Sequence, residues 1–134
     1  MARPFVATLR MGTNGATADN WKLGGLVVRV DIDNGTLTGR ALPEPGKGPA
    51  LSRHPDSGIE FDGYPIPNFR KAIDEACAFH KKLGHVPSVA WDIAFENDTI
   101  CFIEANIMWG TRTHLLLEPD FKKRYMNLFG DRYE

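Results

Sequence analysis

Two acidic side chains and one amide lie where they could bind a divalent cation. Asp92 falls in a run whose large apolar residues occupy every second position, Val89, Trp91, Ile93 and Phe95. After the polar segment 96–98, the next run is expected to place Ile100, Phe102, Glu104 and Asn106 on one face. Because side chains alternate between the faces of a strand, the two runs predict a β-hairpin with one polar face. Carboxylate and amide oxygens are ligands that suit Mg²⁺.

The register of this hairpin decides how close the two carboxylates lie. A three-residue loop at 96–98 makes Glu104 the diagonal neighbour of Asp92, whereas a three-residue loop at 97–99 places Glu104 directly opposite Asp92. In both registers the carboxylates share one face within roughly 5–8 Å. Like charges so close destabilise a sheet unless a cation lies between them. The sequence therefore predicts a metal site, and the alternative is an ordinary hairpin with a solvated polar face.

The rest of the chain predicts an α+β domain with a mainly antiparallel sheet and flanking helices. Strands are expected over Pro4–Met11, Leu26–Ile32 and Thr36–Leu42, with a hairpin turn at Asp33-Asn34-Gly35. Apolar residues at helical spacing predict helices over Pro67–Leu83 and Glu118–Phe129. The segment Pro43–Pro65 holds five prolines and predicts a long irregular loop. Loops of that length in a compact domain are usually functional or mobile.

Composition narrows the class of protein. The 134 residues are 43% hydrophobic, which is enough for one domain with one core. A net charge of −1 gives no electrostatic case for binding nucleic acid or an anionic membrane. No apolar run approaches the roughly 18 residues of a membrane span, so we expect a cytoplasmic protein. Two cysteines make no disulfide framework, and Cys101 is expected on the face of its strand opposite Glu104.

The order of motifs along the chain resembles that of ATP-grasp enzymes. Besides the Asp and the Glu-x-Asn of the hairpin, four segments follow one another as in that superfamily: Asp19–Gly25, His54–Gly58, Ile66-Pro67 and Trp91–Ala94. The order is most similar to the sugar-transfer-associated branch, which is related to α-glutamate-ligase-like proteins. The resemblance covers roughly residues 4–110. The hairpin triplet alone is moderately specific, and the ordered set is strongly specific.

This resemblance implies an activity and a set of ligands. ATP-grasp enzymes bind ATP between two α+β subdomains and phosphorylate a carboxylate substrate to an acylphosphate, which an amine or another nucleophile attacks. By resemblance, Asp92, Glu104 and Asn106 hold Mg²⁺, or alternatively Mn²⁺, against the ATP phosphates. Ile103 matches a position that packs on the adenine, and Asn20 belongs to a motif expected to contact the nucleotide.

Arg10 and Lys22 are the catalytic candidates, expected to steady the γ-phosphate or the acyl group. The resemblance also implies that residues 1–134 form a single C-terminal subdomain, without the half that carries the phosphate-binding lysines and the adenine hinge. We therefore expect a separate N-terminal half or self-association as a partner. An alternative function is a non-catalytic truncated or split fragment that binds metal or a partner. A metal-dependent hydrolase is disfavoured because the sequence places no general base or nucleophile beside the carboxylates.

Overall fold

The computed structural model describes residues 1–130, which form two antiparallel sheets and three α-helices. The elements are β1 (Thr8–Met11), β2 (Leu26–Asp31), β3 (Thr36–Leu42), α1 (Phe69–Lys82), β4 (Ala90–Glu96), β5 (Thr99–Asn106), α2 (Arg112–Leu117) and α3 (Phe121–Phe129). The predicted α+β class with antiparallel pairing is confirmed. None of these helices is long and apolar enough to cross a membrane.

The three-stranded sheet has the order β1-β2-β3 and carries the core. Its central strand β2 is apolar at nearly every position, as expected for a strand with neighbours on both sides. The core consists of Leu26, Val28, Val30, Leu37, Ala41 and Phe61. At the β2–β3 turn the Asp31 carboxylate accepts from the backbone N–H groups of Asp33 and Asn34. These bonds and the positive φ of Gly35 close the hairpin where the sequence predicts it.

The segment between β3 and α1 is irregular, as predicted, but it is tied down along its length. Isolated bridges join Leu51 to Ala41 and Arg53 to Glu60. Phe61 is only 2% exposed and fills the core beneath the loop. The second half of the loop is therefore anchored to the sheet at Leu51 and Phe61.

Helix α1 joins the two sheets. At its beginning Phe69 packs against the core, close to Gly35, where an added Cβ would lie 3.0 Å from the ring. Near its end Phe79 meets Trp91 and Phe102 of the hairpin, with ring centroids 5.9 and 4.9 Å apart. Aromatic pairs at such distances stabilise a contact beyond the area they bury. The β4–β5 hairpin is thus held by its aromatic face, which leaves the face with Asp92 directed away from α1.

The C-terminal part differs most from the expectation. Helix α2 was not predicted from the sequence, and α3 begins three residues later than the predicted start at Glu118. Glu118 is 3% exposed and lies between two cations, with Arg124 Nη1 at 2.7 Å and Arg29 Nη2 at 3.8 Å. Arg124 also donates to the carbonyl of Phe5. A buried carboxylate needs such partners, and these tie α3 to β2 and to the N-terminal segment.

Candidate metal centre

The hairpin that carries the predicted metal ligands turns more tightly than either loop the sequence suggested. Glu96 pairs with Thr99, so that only Asn97 and Asp98 lie in the turn. Both have positive φ, 43° and 63°, which is the signature of a two-residue type I′ turn. Asn and Asp tolerate this conformation better than most residues. The two three-residue loops considered from the sequence are therefore wrong.

A β-bulge brings the carboxylates together. Ile93 pairs with Phe102, whereas Asp92 pairs with Glu104, which leaves Ile103 as the extra residue of β5. A two-residue turn without the bulge would pair Asp92 with Ile103 and turn Glu104 to the other face. The inserted residue corrects the register, as bulges beside functional sites commonly do. The carboxylates of Asp92 and Glu104 are thus directly opposite each other, as one of the two predicted arrangements has them. A two-residue turn with a bulge produces this pairing, instead of the predicted three-residue loop at 97–99.

The bulge also changes which residues share a face of β5. Ala90 pairs with Asn106, which places the amide on the same side as Asp92 and two pairs further along. Phe102 lies instead on the aromatic face, so the expected grouping of Phe102 with Glu104 is wrong. Cys101 pairs with Ala94 and lies on the side of Asp92. Its predicted position on the face opposite Glu104 is therefore also wrong.

Arg10 supplies a cation beside the paired carboxylates. Its Nη2 lies 3.6 Å from Asp92 Oδ2, and its Nε lies 3.2 Å from Asp19 Oδ2. No separate role was predicted for Asp19, and the one available signal was its place at the start of the motif Asp19–Gly25. The three side chains are 39–50% exposed. Ion pairs this exposed contribute at most about 1 kcal/mol each, so Arg10 can exchange partners readily.

A tightly closed loop holds Asp19 in place. The hydroxyl of Thr13, a residue only 8% exposed, donates to the carbonyl of Gly24 at 2.7 Å. A Cβ on Gly25 would lie 2.7 Å from the Asp19 carbonyl oxygen and 2.9 Å from that of Asn20. Both obstacles are backbone atoms, so only glycine lets the chain close here. Gly25 is thus required for the conformation of this loop.

The irregular segment between β3 and α1 also contacts the loop that bears Asp19. The backbone N–H of Asp56 donates to His54 Nδ1, so Nε2 carries the proton and donates to the carbonyl of Gly12 at 3.0 Å. The Asp56 carboxylate accepts from the N–H of Gly15 at 3.2 Å. Hydrogen bonds from the N–H groups of Gly15 and Asn14 lower the pKa of Asp56. The segment His54–Gly58 therefore anchors the loop that bears Asp19.

The remaining predicted residues lie apart from this constellation. Asn20 Oδ1 accepts from the Lys22 backbone N–H at 3.0 Å and begins a short 3-10 turn, so its side chain acts as a local cap. The Lys22 side chain is exposed and forms no ion pair within residues 1–130. Ile103 is 65% exposed at the bulge. The structure brings Arg10 to Asp92, but gives no contact of Lys22 or Asn20 with either residue.

The donor set suits a hard cation that shares its coordination with other ligands. Residues 1–130 contain no group of three or more His, Cys, Asp or Glu side chains arranged to hold a metal ion. The hairpin offers two opposed carboxylates, Asp92 and Glu104, with the oxygen of Asn106 beside them. Mg²⁺ is commonly bound by one or two carboxylates, with waters and substrate phosphates completing its octahedron. The residues fit such an ion, and they do not form a closed structural site of the zinc type.

Comparison with known proteins identifies the family. A family model described as sugar-transfer associated ATP-grasp matches residues 3–124. The matched segment includes all the residues that shape the hairpin site: Arg10, Asp19, Asp92, Glu104 and Asn106. No curated protein and no solved structure matches the chain. Because the family match covers most of the sequence, the chain belongs to the sugar-transfer-associated ATP-grasp family.

Proposed function

We propose that the hairpin face binds a divalent cation together with the phosphates of ATP, and that the chain serves the activation of a carboxylate for ligation. Membership of the ATP-grasp family supports an ATP-binding function of the ligase type. The observation that carries the proposal is the direct opposition of Asp92 and Glu104 across a bulged hairpin. Two opposed carboxylates repel each other, so a divalent cation bound by both would stabilise their placement.

Each residue has a role in this proposal. Asp92 and Glu104 ligate the metal, and Asn106 supplies a third oxygen. A bound Mg²⁺ neutralises phosphate charge and stabilises the charge that develops during phosphoryl transfer. Arg10 presents its guanidinium to the γ-phosphate or the acyl group from the side of Asp19. The substrate is a carboxylate, which is joined as its acylphosphate to an amine or another nucleophile.

Two further residues complete the nucleotide site in this proposal. Ile103 is exposed at the bulge and offers an apolar surface to the adenine. Lys22 is an exposed cation in the loop that also holds Asp19, from where its flexible side chain can reach a phosphate. Asn20 contributes through the shape of that loop, because its side chain caps the turn that carries Lys22.

Calorimetric titration with ATP in the presence of Mg²⁺ tests the proposal. Wild-type protein is expected to bind, and the variants Asp92→Ala and Glu104→Ala are expected to lose binding. Glu96→Gln is the matched control, since Glu96 is an exposed acid on the same strand as Asp92, three pairs beyond Ile93 near the turn. Equal binding by the wild type and both alanine variants would refute the assignment of the metal ligands.

A second candidate function is a non-catalytic module that binds metal and a protein partner. The observation that favours it is a group of exposed apolar side chains around the end of β5: Ile103 at 65%, Ile107 at 65% and Met108 at 93%. Exposed apolar patches commonly mark binding sites. The partner in this case is a separate N-terminal half or a second copy of the chain. A monodisperse monomer in sedimentation, with full ATP binding, would exclude the need for such a partner.

A further inference from the structure

Arg10 is shared unequally between two carboxylates from different parts of the chain. Its Nε is 3.2 Å from Asp19 Oδ2, whereas its Nη2 is 3.6 Å from Asp92 Oδ2, and both contacts are ion pairs. Asp19 belongs to a loop closed by Thr13 and Gly25, and Asp92 belongs to the hairpin. The shorter contact is with the loop, and the longer one is with the proposed metal ligand.

The charges around the hairpin explain why Arg10 reaches toward it. Asp92 and Glu104 repel each other across the strand pair, and within residues 1–130 Arg10 is the one cation that forms an ion pair with Asp92. A divalent cation ligated by Asp92 would offset the same repulsion that Arg10 now offsets. A guanidinium only a few ångströms from a divalent cation is repelled strongly. The two cations therefore compete for Asp92.

From this competition we infer that Arg10 is the resident counter-ion of the hairpin carboxylates and leaves Asp92 when a divalent cation binds. The inference rests on the proposed metal site. Asp19 is the positioning residue that keeps the released guanidinium beside the site, because its own contact with Arg10 involves a different nitrogen. The displaced Nη2 is then available to an anion such as a phosphate. Metal binding and anion binding are thereby coupled through one side chain.

Binding of Mn²⁺ alone, measured by electron paramagnetic resonance without nucleotide, tests the competition. Removing Arg10 by Arg10→Gln is expected to tighten Mn²⁺ binding about twofold to fivefold, the range that exposed ion pairs contribute. Arg40→Gln is the matched control, because it removes the same charge from an exposed position of β3 that forms no ion pair among the described residues. Unchanged or weaker binding in Arg10→Gln, or an equal gain in Arg40→Gln, would overturn the inference.

The role of Asp19 has its own readout in nuclear magnetic resonance. Adding Mg²⁺ is expected to shift the Nε–Hε signal of Arg10 in the wild type, where Asp19 still holds the guanidinium. In Asp19→Asn the same addition is expected to speed the exchange of that signal with solvent, because the freed side chain then has no partner. An Arg10 signal that does not respond to a saturating concentration of Mg²⁺ would overturn the inference.

The same titrations separate failure of this inference from failure of the proposed function. Mn²⁺ binding that is abolished by Asp92→Ala but unaffected by Arg10→Gln would leave the metal site standing and remove only the role of Arg10. No Mn²⁺ binding by either the wild type or Arg10→Gln would overturn both. Mn²⁺ binding by Arg10→Gln but not by the wild type would support the inference most strongly, because Arg10 would then prevent the ion from binding.

Discussion

Neutralising Glu104 is expected to stabilise the protein in the absence of Mg²⁺. Glu104 stands directly opposite Asp92, where the Cβ atoms of an antiparallel pair are about 4.5–5.5 Å apart. Two unit charges about 5.5 Å apart repel by about 0.75 kcal/mol in water, and salt reduces this. Glu104→Gln should therefore raise the free energy of unfolding by about 0.5 kcal/mol. For a domain of this size that is an increase in Tm of about 2 °C.

The same variant is expected to abolish stabilisation by Mg²⁺. At ten times its Kd, an ion that binds only the folded state adds about 1.4 kcal/mol, or about 5 °C for the wild type. Thermal unfolding with and without Mg²⁺ measures both effects, and Glu96→Gln is the control for removing one hairpin carboxylate. The reasoning is refuted if Glu104→Gln is less stable than the wild type without Mg²⁺. It is equally refuted if the variant gains as much from Mg²⁺ as the wild type.

Three further predictions concern the bulge, the loop and a buried histidine. Deleting Ile103 should remove the bulge but leave Asp92 opposite Glu104, because Glu104 then follows Phe102 directly. Mn²⁺ binding, measured by electron paramagnetic resonance, should therefore persist in the deletion variant and in Ile103→Ala, and its loss in either variant would contradict the described register. Gly25→Ala should lower the free energy of unfolding in urea by about 1–3 kcal/mol, because its Cβ meets two backbone carbonyls. Burial lowers the pKa of His114 from its usual 6.5, so the unfolded chain takes up the proton more readily. The contribution of His114 to the free energy of unfolding should be full above pH 6.5 and fall as the pH drops below it. In urea unfolding at several pH values, His114→Phe should flatten this part of the stability profile. An unchanged slope would contradict the assignment of this pH dependence to His114.

The hairpin shows how far alternation of residues predicts a site. The spacing of Trp91, Ile93 and Phe95 was enough to place β4 and to put Asp92 on the face away from them. It did not give the register, because register depends on the turn and on the bulge at Ile103. A bulge adds a residue without any change in the type of the residues around it. Strict alternation along β5 therefore assigned Cys101 and Phe102 to the wrong faces.

Contacts between distant segments were the part that the sequence did not reveal. Arg10 was singled out as a catalytic candidate, but its ion pair with Asp92 joins positions on different sheets. The interaction of His54 with Gly12 likewise spans 42 positions of the chain. Neither pairing has a local signature. Helix α2 was missed for another reason, since its six residues are too few for a helical period to stand out.

Paramagnetic broadening by Mn²⁺ tests the central claim most directly, because it reports where on the molecule the ion lies. Backbone amide signals of Asp92, Glu104 and Asn106 are expected to broaden first as Mn²⁺ is added in small amounts. Signals of the turn at Asn97 and of the control position Arg40 should persist, and addition of excess Mg²⁺ should restore the broadened set. Broadening centred elsewhere, or none at any concentration, would contradict the assignment of the hairpin face as the metal centre.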